Sequence, residues 1–393
     1  MGLAYGLSTK VIIEAIQKGM GSTLGAILTI ILLGAMIGKL IAKSNASVSI
    51  ADKLIKVFGP KRLPFAFMII GFIVSMPLFF SVAFLLLTPL VLTTAKRQQI
   101  NPVYLGIPLL ASLSITQGFL PPHPAPYYLV THLPGAEMSA TLGLGIVISI
   151  PAMILSGWLF GMTIKNIPST PMEFTDDNEN ISQPSFLLSL VIIVLPVFLI
   201  SINSFFKNAI IDFISEPNIA LFISLIVSIY LLGFRRGIQW SEMQKWMLDS
   251  VKDVAPLILT FAGAGAFKEV LQSMKIGDEV LAIAMNNSIN PLILSWLIAA
   301  VLRIITGSST VAGITTAGII LPVLSQTGVN PNLLALSIGA GSMVLSHVND
   351  TGFWLFKEYY GVSVKNTLRS WTIMETILAV VGLLGVLILQ YII

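Results

Sequence analysis

Long apolar runs separated by short polar stretches dominate this chain. A membrane-spanning helix needs about 20 mostly apolar residues, and residues 22–42, 141–164, 185–206, 217–234, 253–273 and 370–393 read as such spans. Residues 7–18 mix charge with apolar side chains at helical spacing, which predicts a short interfacial helix. Residues 235–252 repeat that mixed pattern. Four further apolar regions are broken. Pro77, Ser81 and Pro89 interrupt residues 63–95, and the stretch from Thr116 to Pro126 interrupts residues 102–131. Residues 302–318 carry Arg303, Ser308, Ser309 and Thr310 among hinge positions at Gly307, Gly313 and Gly318, with Pro322 beyond. Residues 346–352 read Ser346-His-Val-Asn-Asp-Thr-Gly352. Polarity of this kind inside a membrane is tolerated where the backbone lines a cavity or is covered by protein. The two later breaks therefore read as walls of one site.

The pattern repeats. Gly34-Ala-Met-Ile-Gly-Lys39 matches Gly263-Ala-Gly-Ala-Phe-Lys268, and Ile100-Asn-Pro102 matches Val329-Asn-Pro331, both at an offset of 229 residues. The same offset sets Ser81 opposite Thr310 and the proline-rich break opposite Ser346–Asp350. Duplication with interrupted helices is the sequence signature of a secondary transporter. If 63–95 and 290–325 are re-entrant hairpins, 102–131 and 331–352 are discontinuous spans and the chain crosses an odd number of times between the matched landmarks. The halves are then inverted. The expected fold is an all-α polytopic membrane protein of two inverted repeats with re-entrant hairpins and discontinuous helices. Its parts are a first half at 1–165, a polar linker plus connecting span at 166–216, and a second half at 217–393. The linker, Lys165 to Pro184, holds Asp176, Asp177 and Glu179. The repeat implies one further span before the first half, since its mixed-polarity stretch follows no apolar run while its counterpart at 235–252 follows one.

Composition agrees with the pattern. Hydrophobic residues make up 55% of the chain and charged residues 10%, against about 25% charged in a soluble domain. Of the 22 Lys and Arg, this topology puts 15 on one face and four on the other, leaving Lys39, Lys268 and Arg303 within the membrane. The richer face is the cytoplasmic one, so the net charge of +4 calls for no nucleic acid. The expected partners are the lipid bilayer, a small organic anion and a proton, with a homo-oligomer possible. The absence of cysteine removes disulfides and thiolate metal sites, and no metal site or cofactor is expected.

Several residues stand out chemically. Ser308, Ser309 and Thr310 at a glycine break can hold a carboxylate or sugar hydroxyls beside helix N-termini, although Ser and Thr also simply pack helices. His347 and Asp350 form the best titratable pair and are the candidates for the coupling proton, against a plain capping role; Asn349 is a candidate for substrate hydroxyls. Arg303 can grip a carboxylate with two donors, pair with Asp350, or snorkel. His123, among prolines at 121, 122, 124 and 126, faces either the substrate or carbonyls freed by proline. Gln117 and Ser81 can bind but not titrate. Lys39 and Lys268 read as anchors near the membrane surface. Gly263-Ala-Gly265 lacks the Gly-Lys-Ser/Thr of a phosphate loop and reads as helix packing.

Ser114-Ile-Thr-Gln-Gly-Phe-Leu-Pro-Pro-His-Pro124, Gly307-Ser-Ser-Thr-Val-Ala312 and Ser346-His-Val-Asn-Asp-Thr-Gly-Phe-Trp-Leu-Phe-Lys-Glu358 resemble the gluconate permease family over essentially the whole chain. That resemblance implies a bacterial inner-membrane proton symporter for gluconate or a related small hydroxy-carboxylate, built around paired hairpins and broken helices. It also implies one more apolar helix at the start. The family pattern usually has His at the position of Gln117 and often an acid at that of Ser81. Their replacement here favours the alternative, a sodium-coupled organic-anion carrier or cation/proton antiporter of the same superfamily. An enzyme is not expected, since neither His-Glu-x-x-His nor Gly-x-Ser-x-Gly is present.

Overall fold

The computed structural model describes residues 2–393 apart from 60, 61, 77, 122, 173–181, 205, 207, 277, 280, 281, 283–285, 287 and 288. Lys61, Pro77, Pro122, Lys207 and the linker acids Asp176, Asp177 and Glu179 lie outside the described residues. Among the described residues the regular structure is helical, with no strand. Eight described helices are long and apolar enough to cross a membrane.

The first, α1 (Thr9–Lys43), starts where Ser8 Oγ accepts the Val11 N–H and runs 35 residues without a break. The mixed-polarity stretch at 7–18 is thus continuous with the span that follows, not a separate interfacial helix. The same correction applies in the second half, where residues 240–252 belong to one 34-residue helix, Trp240–Ser273. The cause is mutual packing. The two long helices run antiparallel, with Lys18 paired to Glu269 and Lys39 to Asp253 at 2.7 Å. Charges that look interfacial in sequence are met by the opposite helix. Where they cross, a Cβ on Gly19 would fall on the Gly265 carbonyl oxygen, and one on Gly265 would meet both the Gly19 carbonyl oxygen and the Thr23 side chain. Only glycine allows so close an approach of two backbones. Gly265→Ala is expected to cost about 1–3 kcal/mol, as overpacking does, and should appear as a lowered unfolding temperature in detergent.

The remaining helices are α2 (Ala46–Phe58), α3 (Leu63–Ser75), α4 (Phe80–Gln98), α5 (Pro102–Phe119), α6 (Pro124–His132), α7 (Met138–Thr163), α8 (Phe186–Ser201), α9 (Ala209–Ser215) and α10 (Pro217–Arg236). After the long helix, here α11, come α12 (Pro291–Thr306), α13 (Ser309–Thr327), α14 (Pro331–Gly341), α15 (Thr351–Tyr359) and α16 (Val364–Ile392). Asn-Pro pairs start three of them. Asn101, Asn290 and Asn330 cap α5, α12 and α14 by accepting the N–H two residues on, at 2.8–2.9 Å, and proline at the next position has no N–H to leave unpaired.

Helix breaks fall in all four of the broken regions. Helix α3 ends at Ser75 and α4 starts at Phe80, and α12 and α13 turn about Gly307 and Ser308. Helix α5 ends at Phe119 and α6 starts at Pro124, while α14 and α15 are separated by residues 342–350. The eight long apolar helices include the hairpin arms α4 and α13, whereas α8 and α14, at 16 and 11 residues, are shorter than a full span. Helix α3 packs on α5, and α12 packs on α14 and α13, while α13 also lies against α11. The described ends of the linker are held: Thr170 N–H donates to Gly361 O at 3.1 Å, and Ser49 Oγ to Pro184 O at 2.7 Å. Large apolar side chains such as Leu259, Ile305 and Leu187 stand on the outside, which suits contact with lipid tails.

Candidate functional site

The second hairpin turns sharply because Gly307 takes φ +71°, the left-handed region open to glycine. A Cβ there would also collide with the carbonyl oxygen and side chain of Asn349, so the hairpin tip rests directly on the α14–α15 break. Asn349 Nδ2 closes the same contact by donating to Ile304 O at 2.9 Å. Ser308 caps α13 by accepting the Val311 N–H at 3.3 Å, and Thr306 Oγ1 bonds back to Leu302 O at 2.7 Å.

Arg303 lies at the centre, 4% exposed. Its Nη1 donates to the Gly307 carbonyl and its Nη2 to Asp350 Oδ2, forming an ion pair. Asp350 also accepts from Ser346 Oγ and, through Oδ1, from the Gly352 N–H at 2.9 Å, which makes it the cap of α15. Ser346 is fixed in turn by Trp371 Nε1 at 2.7 Å and bonded through its carbonyl to Thr372 Oγ1. The break is thereby tied to both the hairpin and the last helix. Two donors and a guanidinium thus converge on the Asp350 carboxyl.

These elements enclose a cavity of about 310 Å³, at the small end of the range for small-molecule sites. Its wall takes Ser81 from α4, Gln117 from α5, Arg303 from α12, Ser308, Ser309 and Thr310 from the tip and start of α13, and Asn349 and Asp350 from the second break. Ser81 and Thr310, set opposite each other by the sequence repeat, meet at one cavity. Gln117 Nε2 donates to Ser309 Oγ at 3.2 Å and links the first half to the hairpin tip. Residues at the N-terminal ends of four helices line this space: Phe80 and Ser81 of α4, Pro124 of α6, Ser309 and Thr310 of α13, and Thr351 and Gly352 of α15. Helix N-termini carry partial positive charge and unpaired N–H groups, so their convergence suits an anion.

Two histidines singled out by sequence are not among the lining residues. His123 is 4% exposed and its Nε2 lies 3.0 Å from the Ser75 carbonyl, in a separate small cleft beside α1. The carbonyl-satisfying alternative describes this contact. The His347 carbonyl accepts the Asp350 N–H at 2.9 Å, and its side chain stands apart from the cavity wall. Lys268 is buried rather than near a surface, with Nζ 3.1 Å from Tyr128 Oη and 3.5 Å from Glu269. Lys39 is half-buried against Asp253. Among the described residues no group of three or more His, Asp or Glu is placed to hold a metal ion.

The wall residues that the sequence reading missed include Ser114, Thr260, Trp371 and Glu375. Glu375 had a signal, because it is the one charged residue in the apolar run 370–393. It is 1% exposed, and Ser114 Oγ bonds its Oε1 across from α5.

The model of the GntP family permease matches residues 1–392. The chain belongs to the GntP permease family. It is 40% identical to a gluconate permease of Pseudomonas aeruginosa, with 99% of this chain and 90% of the relative covered. It is 39% identical to the Gnt-II system L-idonate transporter of Escherichia coli, covering 98% and 91%. Among solved structures, the YdaH transporter of Alcanivorax borkumensis superposes with a TM-score of 0.68 at 13% identity, covering 98% of this chain and 89% of that one. MtrF of Neisseria gonorrhoeae gives 0.68 at 15% identity, covering 96% and 83%. At such identity the likeness concerns the fold alone. As a GntP-family member with eight candidate spans, the protein is a multi-pass permease of the bacterial inner membrane and not an enzyme.

Proposed function

We propose that this GntP-family permease carries gluconate or a closely related small hydroxy-carboxylate, with inward proton movement driving uptake. The observation that carries the reading is the joining of four helix N-terminal ends and Arg303 around one cavity. Relatives that are gluconate and idonate transporters by name point to the same class of anion. The substrate carboxylate takes its place beside Arg303 and the N-terminal ends of α13 and α15. Its hydroxyls exchange hydrogen bonds with Ser309, Thr310, Gln117 and Ser81. Alternating access moves the hairpin tips against the two breaks, and the inverted halves at 1–165 and 217–393 supply the two equivalent states. A proton offsets the charge that the substrate brings to a cavity already holding Asp350.

A second reading, a sodium-coupled carrier of the same superfamily, is favoured by Gln117 and Ser81, two cavity positions that do not titrate. The substrate assignment is tested by uptake of labelled gluconate with unlabelled idonate, lactate and citrate as competitors. Gluconate and idonate should compete, and the bulkier tricarboxylate should not. Equal inhibition by all acids would contradict it. Ser309→Ala with Thr310→Val should raise the KM for gluconate about tenfold, the loss of one to two net hydrogen bonds. An unchanged KM would remove the hairpin tip from the binding site.

A further inference from the structure

We propose that Glu375 carries the coupling proton, while Asp350 serves as the fixed partner of Arg303. This rests on the reading of the cavity as the site of a proton-coupled anion carrier and names the group that does the coupling. The two acids face the same cavity but are held in opposite ways. Asp350 has the Arg303 guanidinium, the Ser346 hydroxyl and the Gly352 N–H. Glu375 is deeper, with Ser114 Oγ on Oε1 and no donor on the buried Oε2. No ion pair reaches it among the described residues. A carboxylate so placed within a membrane protein is strongly disfavoured, and a proton removes the charge.

The surroundings add little that could compete. Of the elements packed on α16, α7 and α14 bring no titratable side chain, α5 brings Tyr104, α12 brings Arg303, and α15, packed on the start of α16, brings Lys357, Glu358 and Tyr359, none of which lines the cavity. The start of α16 itself brings Lys365 and Arg369, both exposed, and the neighbouring break brings His347 and Asp350. Arg303 and Asp350 line the same cavity as Glu375 and are already paired with each other. Trp371, one helical turn before Glu375, is bound to Ser346, so a movement of the break also moves the helix that carries the acid.

Coupling then follows from charge. With the cavity open to the outside, Glu375 takes a proton from outer water, and the neutral acid lets the substrate anion approach Arg303. An ionised Glu375 would set a second negative charge beside Asp350, repel the substrate and compete for the guanidinium. After the site opens inward, the substrate leaves and Glu375 releases its proton to inner water. Neither ligand is held well without the other.

The test uses Glu375→Gln and Glu375→Asp in proteoliposomes, with labelled gluconate exchange followed across pH and accumulation followed under an imposed pH gradient. Wild-type exchange should weaken as pH rises. Glu375→Gln should retain exchange at a reduced rate, lose its pH dependence, and accumulate at least tenfold less gluconate under the gradient. Glu375→Asp should keep gradient-driven accumulation with a displaced pH profile. A glutamine variant that accumulates with the wild-type pH profile would overturn the proposal. So would a folded glutamine variant that loses exchange entirely, which would make Glu375 a substrate-holding or packing residue. Where glutamine prevents folding, an aspartate variant with an undisplaced profile overturns it. Asp350→Asn giving the pH-independent phenotype in place of Glu375→Gln would transfer the role to Asp350. Failure of the wild-type protein itself to exchange gluconate would overturn the carrier reading and, with it, the role of Glu375.

Discussion

Arg303→Met is expected to abolish gluconate transport and to destabilise the protein by about 3–5 kcal/mol, the usual cost of stranding one member of a buried ion pair. Arg303 is 4% exposed and the Asp350 side chain 16%, so little water reaches Asp350 once the guanidinium is gone. The loss of the donor to Gly307 O would free the hairpin tip as well. Stability and function should separate in the double variant Arg303→Met with Asp350→Leu. Removing both charges is often neutral or stabilising, so much of the lost stability should return while transport does not. Thermal unfolding in detergent measures the first and labelled uptake the second. A double variant that transports would show that the pair is structural only. Arg303→Lys tests the fork: one ammonium cannot reproduce the planar pair of donors, and uptake should fall about a hundredfold, equivalent to roughly 2.8 kcal/mol.

Gly307→Ala is the second large effect. A side chain at φ +71° is strained by about 1–2 kcal/mol. Here the added carbon would also strike the Asn349 carbonyl and side chain, forcing the tip away from the second break. Uptake should drop by more than tenfold in a protein that still elutes as a single folded species. Gly328→Ala is the control, since Gly328 has φ +61° but no atom within 4 Å of the added carbon. It should show the strain without the loss of uptake. Equal losses in both would mean that backbone conformation, not the tip-to-break contact, sets the phenotype.

Much of this site could be read from residue types alone. Arg303, Asp350 and the Gly307–Thr310 turn stand out because charge and glycine are rare in apolar runs, and rarity inside a membrane requires a reason. What could not be read were relations fixed by tertiary contact. A proline-rich break announces exposed carbonyls but not which way a ring turns, and His123 meets the Ser75 carbonyl in a separate cleft. The stretch at 7–18 looked interfacial because Glu269, the partner of Lys18, lies more than two hundred residues away. Glu375 was overlooked for a different reason. One acid in a long apolar run leaves a hydropathy window almost unchanged, and only its contact with Ser114 reveals that it faces a cavity rather than lipid.

The most direct test of the central claim is labelled gluconate uptake by the wild-type protein in proteoliposomes, first with an acid-outside pH gradient and then with an inward sodium gradient. Accumulation above equilibrium driven by the pH gradient alone, with sodium absent, is the expected result. Accumulation that requires sodium, or none under either gradient, would contradict it.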